Sequence, residues 1–314
     1  MAKTLITKIV FITVLQLMAI TGYGQALYSK DFGHPGNKTL IFLHGGPGYN
    51  AATFEQTTAQ KLADKGFYVI VYDRRGEGRS VDEQAKFTFQ ESFNDLDTVC
   101  NRYHVHNVNL VGHSFGGIVA TLYANKHPRT VESVIFIGAP VSLQETFRTI
   151  RKESKDVYAA IHDSVNLYYM QLLDGMDTAS LEYSSYCFAH AMQNKFYSPK
   201  NPTEEAKKIY SMFRTDTVLM KYSMKMTAKP PKQFWSNEKY TVLNIGPDVH
   251  KLLDQGVHVY GFYGKEDGLY STKQVDDLGK MIGSKNLRYY DNCSHSVFID
   301  QQTPFITDLT ALLK

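Results

Sequence analysis

The sequence predicts an α/β fold: a mostly parallel sheet flanked by helices, with an inserted helical cap. Three observations lead there. Short, continuously apolar stretches such as Phe67-Tyr68-Val69-Ile70-Val71-Tyr72 alternate with helix-length segments. Strands apolar on both sides belong to a parallel sheet covered on both faces. The alternation stops across residues 141–240, where apolar and aromatic residues recur at helical spacing, and resumes near Val257. At the centre of the pattern, Val108, Leu110 and Val111 run into Gly112-His113-Ser114-Phe115-Gly116, and an apolar helix-like run follows from Ile118 to Ala124. That is a strand, a sharp turn with a serine at its tip, and a buried helix.

Taken in order, the chain opens with Lys3 and Lys8 before an apolar run from Ile9 to Ile20, then Gly22-Tyr23-Gly24-Gln25. A basic start, a short apolar stretch and small residues at a cleavage point predict a signal peptide over 1–24. The expected location is therefore secreted or periplasmic, with no stable membrane association once the leader is removed. Strands are expected at 39–43, 67–72, 108–111, 131–137, 257–264 and 286–290, each an apolar run bounded by turn residues. Helices are expected at 54–65, 91–103, 115–126, 248–255, 272–282 and 304–313 from their apolar spacing. Residues 26–32 can supply one further strand. The core is thus 25–140 and 241–314, and the cap is 141–240. Within the cap, Val157, Ile161, Val165, Tyr168, Tyr169 and Leu172 follow helical spacing.

Composition narrows the function. A net charge of +3 over 314 residues points to neither nucleic acid nor an anionic surface as partner, which leaves a small-molecule substrate. Three separated cysteines, Cys100, Cys187 and Cys293, do not make a metal site, and no cofactor motif is present. Cys100 falls in the apolar phase of a helix. Cys187 and Cys293 are the pair expected to bridge if export allows a disulfide.

A serine hydroxyl attacks carbonyl carbon only when a base takes its proton, and the base needs a carboxylate to orient it. A bare G-x-S-x-G also fits a glycine-rich turn without chemistry, so the rest of the chain has to supply the partners. With Ser114 as nucleophile on this fold, they follow in the order acid, then histidine. Of eleven histidines, only His295 follows the last candidate acid strand. Glu266 and Asp267 both lie just past that strand, and Asp267 is favoured because it sits in the turn proper. The oxyanion needs two backbone donors. Phe115 N–H follows the nucleophile, and Gly46 N–H in His44-Gly45-Gly46-Pro47-Gly48 is the expected second. His44 is expected to be a structural hydrogen-bonder. Tyr72-Asp73-Arg74-Arg75-Gly76-Glu77-Gly78-Arg79-Ser80 lacks the lysine-serine ending of a phosphate loop and is expected to be a turn stapled by Asp73 and Arg75.

These motifs together resemble the α/β-hydrolase superfamily, over about residues 30–140 and 245–314. His-Gly-Gly-Pro-Gly at 44–48 with Asp-x-Arg-Gly-x-Gly-x-Ser at 73–80 is similar to the prolyl iminopeptidase branch. That resemblance implies a Ser114–Asp267–His295 triad, no metal, and release of an N-terminal residue from small peptides. It also implies cap glutamates that bind the free amine, and Glu145, Glu153, Glu182, Glu204, Glu205 and Glu238 are available. The Gly-His-Ser-Phe-Gly elbow departs from that branch and is similar to esterases, so a carboxylesterase is the alternative. A catalytically inactive binding protein with the same fold is the alternative of another class.

Overall fold

The computed structural model describes residues 27–314. The expected leader at 1–24 lies outside the described residues. Among the described residues seven strands form one sheet: β1 (Ser29–Phe32), β2 (Lys38–Leu43), β3 (Phe67–Tyr72), β4 (Val108–His113), β5 (Val131–Ile137), β6 (His258–Gly264) and β7 (Leu287–Tyr290). Their order is β1-β3-β2-β4-β5-β6-β7. Among the described strands only β1 runs antiparallel, pairing Ser29 with Tyr72 at one edge of the sheet.

The inner strands β2–β6 are apolar on both sides because both faces are covered. Ile41, Leu43, Ile70, Leu110, Val134 and Phe136 join one apolar cluster. Their alternate neighbours Leu40, Phe42, Val69, Val71, Val111, Ile135 and Phe262 join the other. Each such side chain, removed from water, contributes about 1.5–3 kcal/mol. The first face is covered by α2 (Phe89–Arg102), α3 (Phe115–Lys126), α10 (Gly246–Asp254) and α11 (Thr272–Ile282). The second is covered by α1 (52–63), α12 (Val297–Asp300) and α13 (Gln302–Leu313). Local chemistry starts these helices where they start. Thr88 Oγ1 accepts from Glu91 N–H at 3.1 Å at the head of α2. Ser271 and Gln274 form a reciprocal capping box at the head of α11.

Between β5 and β6 the chain leaves the sheet for six helices, α4 (Leu143–Ala160), α5 (Ser164–Asp174), α6 (Leu181–Gln193), α7 (Glu204–Met212), α8 (Thr217–Tyr222) and α9 (Lys229–Glu238). It departs and returns through one neck, where Leu143 N–H donates to Leu243 O and Ile245 N–H to Val141 O. The apolar series from Val157 to Leu172 is exposed, with Ile161 at 65 % and Tyr168 at 57 %. It runs from the end of α4 across the turn and along the outer side of α5. Met170 and Leu173 face inward instead.

The Cys187–Cys293 pair does not form. All three cysteines are free and buried. Cys187 packs on the inserted helix α6 and Cys293 in the loop after β7, and the two join different apolar clusters. Cys100 is a core residue, as expected.

Candidate active site

Parallel strands in register bring their C-terminal ends to one edge. Leu43 pairs with Gly112, His113 with Ile137, and Gly264 with Tyr290. Loops after β2, β4, β5, β6 and β7 therefore gather there, where open α/β sheets build their sites.

Ser114 stands at the junction of β4 and α3 with φ 52° and ψ −125°, a left-handed conformation that is strained for a side chain bearing Cβ. Its N–H donates to Ile137 O at 3.0 Å. The turn closes only because its flanks lack side chains. A Cβ on Gly116 would stand 2.1 Å from Leu43 O, and one on Gly112 would stand 2.5 Å from Gly117 Cα. The glycine loop after β2 lies directly against the serine: a Cβ on Gly45 would fall 3.1 Å from Ser114 Cβ.

His295 and Asp267 are both buried. His295 Nδ1 lies 2.8 Å from Asp267 Oδ2, and Leu269 N–H donates to Asp267 Oδ1 at 3.1 Å. A carboxylate acceptor fixes the proton on Nδ1 and leaves Nε2 as the basic atom. Glu266 turns away and accepts from Lys200 N–H. Gly138, next to the carbonyl that holds Ser114, packs on the imidazole; a Cβ there would be 3.1 Å from His295 Nδ1. His113, from the elbow itself, has its ring 4.9 Å from that of His295 and its Nε2 3.3 Å from His295 O. Among the described residues Ser114 Oγ and His295 Nε2 form no hydrogen bond. Such contacts are commonly long before substrate arrives.

The N–H groups of Gly46 and Phe115 have no acceptor among the described residues. They are two free donors beside the serine, and the positive end of α3 lies behind one of them. Residues 38–302 match the family described as the alpha/beta hydrolase fold. The chain belongs to the α/β-hydrolase family. It is a hydrolase, similar over 300 residues, at 24 % identity, to a putative proline iminopeptidase of Mycoplasma pneumoniae, covering 88 % of this chain and 90 % of that protein. A proline iminopeptidase of Lactobacillus delbrueckii subsp. lactis is 34 % identical over 135 residues, 40 % of this chain and 45 % of its own length. Among solved structures, a proline iminopeptidase-related protein from Thermus thermophilus superposes with a TM-score of 0.67 at 21 % identity, covering 91 % of this chain and 92 % of that one.

The hydrolase braces its glycine loop with a buried ion pair that the sequence did not announce. Arg74 Nη2 lies 2.9 Å from Glu77 Oε2, and the same guanidinium donates to His44 O and Gly45 O, each at 2.6 Å. Glu77 Oε2 also accepts from Gly48 N–H at 2.9 Å. His44 accepts from Arg74 N–H through Nε2, so Nδ1 carries its proton toward Gly45 O. Burial, reinforced by Arg74, holds the His44 imidazole well below the usual range. It is neutral and structural, as expected. The staple after β3 differs from expectation. Asp73 is held by Arg79, whose Nε lies 2.7 Å from Oδ2, because the glycine turn doubles back and returns Arg79 over it. Arg75 instead reaches Asp95 at 2.9 Å and Asp82 at 3.0 Å.

The six inserted glutamates do not gather at His295. Glu145, Glu153 and Glu204 pair with Arg148, Lys152 and Lys207 on the surface. Glu205 accepts from Thr303 and Glu238 from Phe89 N–H, while Glu182 is exposed. Aromatic groups stand there instead. Tyr197 meets the His295 ring edge-on at 5.1 Å, and Phe234 and Tyr240 meet Phe115 at 5.4 and 5.6 Å. A cavity of about 310 Å³ lies behind Tyr270, lined by Val141, Glu145, Tyr263 and Met281 among others; neither Ser114 nor His295 lines it.

Proposed function

We propose that this hydrolase works through an acyl-enzyme. Ser114 attacks the carbonyl carbon, His295 Nε2 takes its proton, and Asp267 steadies the imidazolium that forms. The oxyanion is held by the N–H groups of Gly46 and Phe115. His295 then returns the proton to the leaving group, and water, activated by the same imidazole, releases the acid. The observation that carries this reading is the 2.8 Å bond between His295 Nδ1 and Asp267, buried beside a strained serine elbow. The substrate in this reading is a small peptide or amino-acid amide, cleaved as by an aminopeptidase of proline iminopeptidase type. The named relatives and the glycine loop support it. A second reading, cleavage of small carboxylic esters, is supported by the inserted glutamates, which are committed elsewhere or exposed. In both readings the leader at 1–24 directs the protein to an exported location.

The test has two arms. A fluorophosphonate should label the folded protein and fail to label Ser114→Ala; absence of labelling of the folded wild type would favour an inactive binding protein. Proline p-nitroanilide and p-nitrophenyl acetate then divide the substrate readings. Ester turnover without arylamide turnover sinks the peptidase reading.

A further inference from the structure

The loop carrying His295 is gripped twice, and each grip ends in the inserted segment. Ser294, the residue before the histidine, is fully buried. Its N–H donates to Asp300 Oδ2 at 2.8 Å, and its hydroxyl donates to Phe196 O at 2.8 Å. Asp300 is itself fully buried, and its other oxygen accepts from Tyr210 Oη–H at 2.6 Å. Tyr210 belongs to α7, and Thr203, which caps α7, donates to Asp300 O at 3.3 Å. Phe196 lies just past α6. Its carbonyl also accepts from Gly268 N–H at 3.2 Å, in the loop that carries Asp267. One inserted carbonyl thus ties the acid loop to the histidine loop, and one buried carboxylate ties the histidine loop to α7.

We infer that Asp300 is a positioning residue for His295, and that through Tyr210 it makes the seating of the inserted helices and the alignment of His295 a single event. This rests on the reading of His295 as the base. The physical reason is the cost of the group. A buried carboxylate is destabilising unless its oxygens are satisfied, and here its two side-chain acceptors are committed to the histidine loop and to α7. Burial pushes the Asp300 carboxyl up to about 6 despite both hydrogen bonds, so the site retains a charge that an amide or an apolar side chain would spare it. Asp267 and His295 lie within its field, and neither is hydrogen-bonded to the Asp300 carboxylate, whose partners are Ser294 N–H and Tyr210. Asp300 therefore acts on His295 through the Ser294 backbone rather than by contact. Lifting α7 away would remove the Tyr210 donor, free the carboxylate, and release Ser294 and the imidazole behind it.

The test separates alignment from folding and from substrate binding. Wild type, Tyr210→Phe, Ser294→Ala, Asp300→Asn and His295→Ala are each reacted with a fluorophosphonate, and the maximal inactivation rate is resolved from the half-saturating concentration. Tyr210→Phe and Asp300→Asn should lower the maximal rate by about tenfold or more, with half-saturation within about twofold and circular dichroism at the wild-type value. Ser294→Ala should fall between. Tyr210→Phe removes one oxygen atom and keeps the inference testable where an Asp300 variant fails to fold. Wild-type rates in Tyr210→Phe and Asp300→Asn, with His295→Ala dead, overturn the inference and leave the base intact. An active His295→Ala overturns the assignment of the base, and this inference with it.

Discussion

At the scale of single residues, the two acidic neighbours after β6 are distinguished by where the turn aims them. Asp267 accepts from His295 and from Leu269 N–H, whereas Glu266 accepts from Lys200 N–H at the molecular surface. Asp267→Asn should keep the shape and reverse the polarity of one contact. The amide would donate to Nδ1, fixing the proton on Nε2, where it cannot accept from Ser114. Labelling by a fluorophosphonate should fall by about 10³- to 10⁴-fold. Glu266→Gln should stay within about twofold, since its side chain touches no group of the proposed reaction. Equal losses in the two variants would remove Asp267 from the triad. Ser114, His295 and Asp267 could be nominated from chain order because the fold dictates that order. Asp300 and Phe196 could not, since one works by a side chain turned back on its own loop and the other by a backbone carbonyl.

At the scale of elements, what was legible is what burial makes obligatory. The strands at Phe67–Tyr72 and Val131–Ile137 and the helices at Phe115–Lys126 and Thr272–Ile282 fall where apolar runs and their spacing place them. The antiparallel edge strand Ser29–Phe32 was also readable as one extended segment. The short helix Val297–Asp300 was not, for four residues carry no period. The disulfide misled because cysteine spacing says nothing about which packed cluster each thiol joins. Apolar spacing likewise marked Val157 to Leu172 as helix but did not reveal that these side chains face solvent along α5. The Arg74–Glu77 pair shows the same limit for charge, since nothing local distinguishes a buried glutamate from the exposed Glu83 six residues on. It also makes a sharp prediction. Glu77→Gln leaves Arg74 buried with its neutral carbonyl acceptors alone and weakens the acceptor of Gly48 N–H. Breaking one side of a buried pair costs roughly 3–5 kcal/mol. The denaturation midpoint should fall accordingly at an unchanged m-value. A loss below about 0.5 kcal/mol would mean that the pair does not brace the loop.

At the scale of the whole molecule, the carboxyl edge of the sheet concentrates buried groups that oppose one another in the pH dependence of stability. His44 and His113 are held well below 6.5 by burial, so the unfolded chain binds protons that the fold refuses, and stability drains as pH falls below 6.5. Asp300 acts in the other sense. Its carboxyl sits at about 6 in the fold against 3.8 in a free chain, so the fold binds the proton more tightly. The stabilisation from that proton is complete below 3.8 and is lost as pH rises through about 6. Asparagine at position 300 titrates nowhere in this range, and subtracting its stability curve from that of the wild type removes the histidines and every other shared group. The difference should move in favour of the wild type between pH 7.5 and pH 4, by up to about 3 kcal/mol for a shift of roughly two units. Urea unfolding of both proteins at intervals across that range measures it. A flat difference would show that Asp300 is not held charged against its burial at neutral pH. A difference of the expected sign would mean that, above about pH 6, the molecule carries a destabilising charge at the joint between its inserted helices and its histidine loop. That cost sits where Tyr210 and Ser294 N–H meet one carboxylate, so relieving it with asparagine should trade stability gained above about pH 6 for looser alignment of His295.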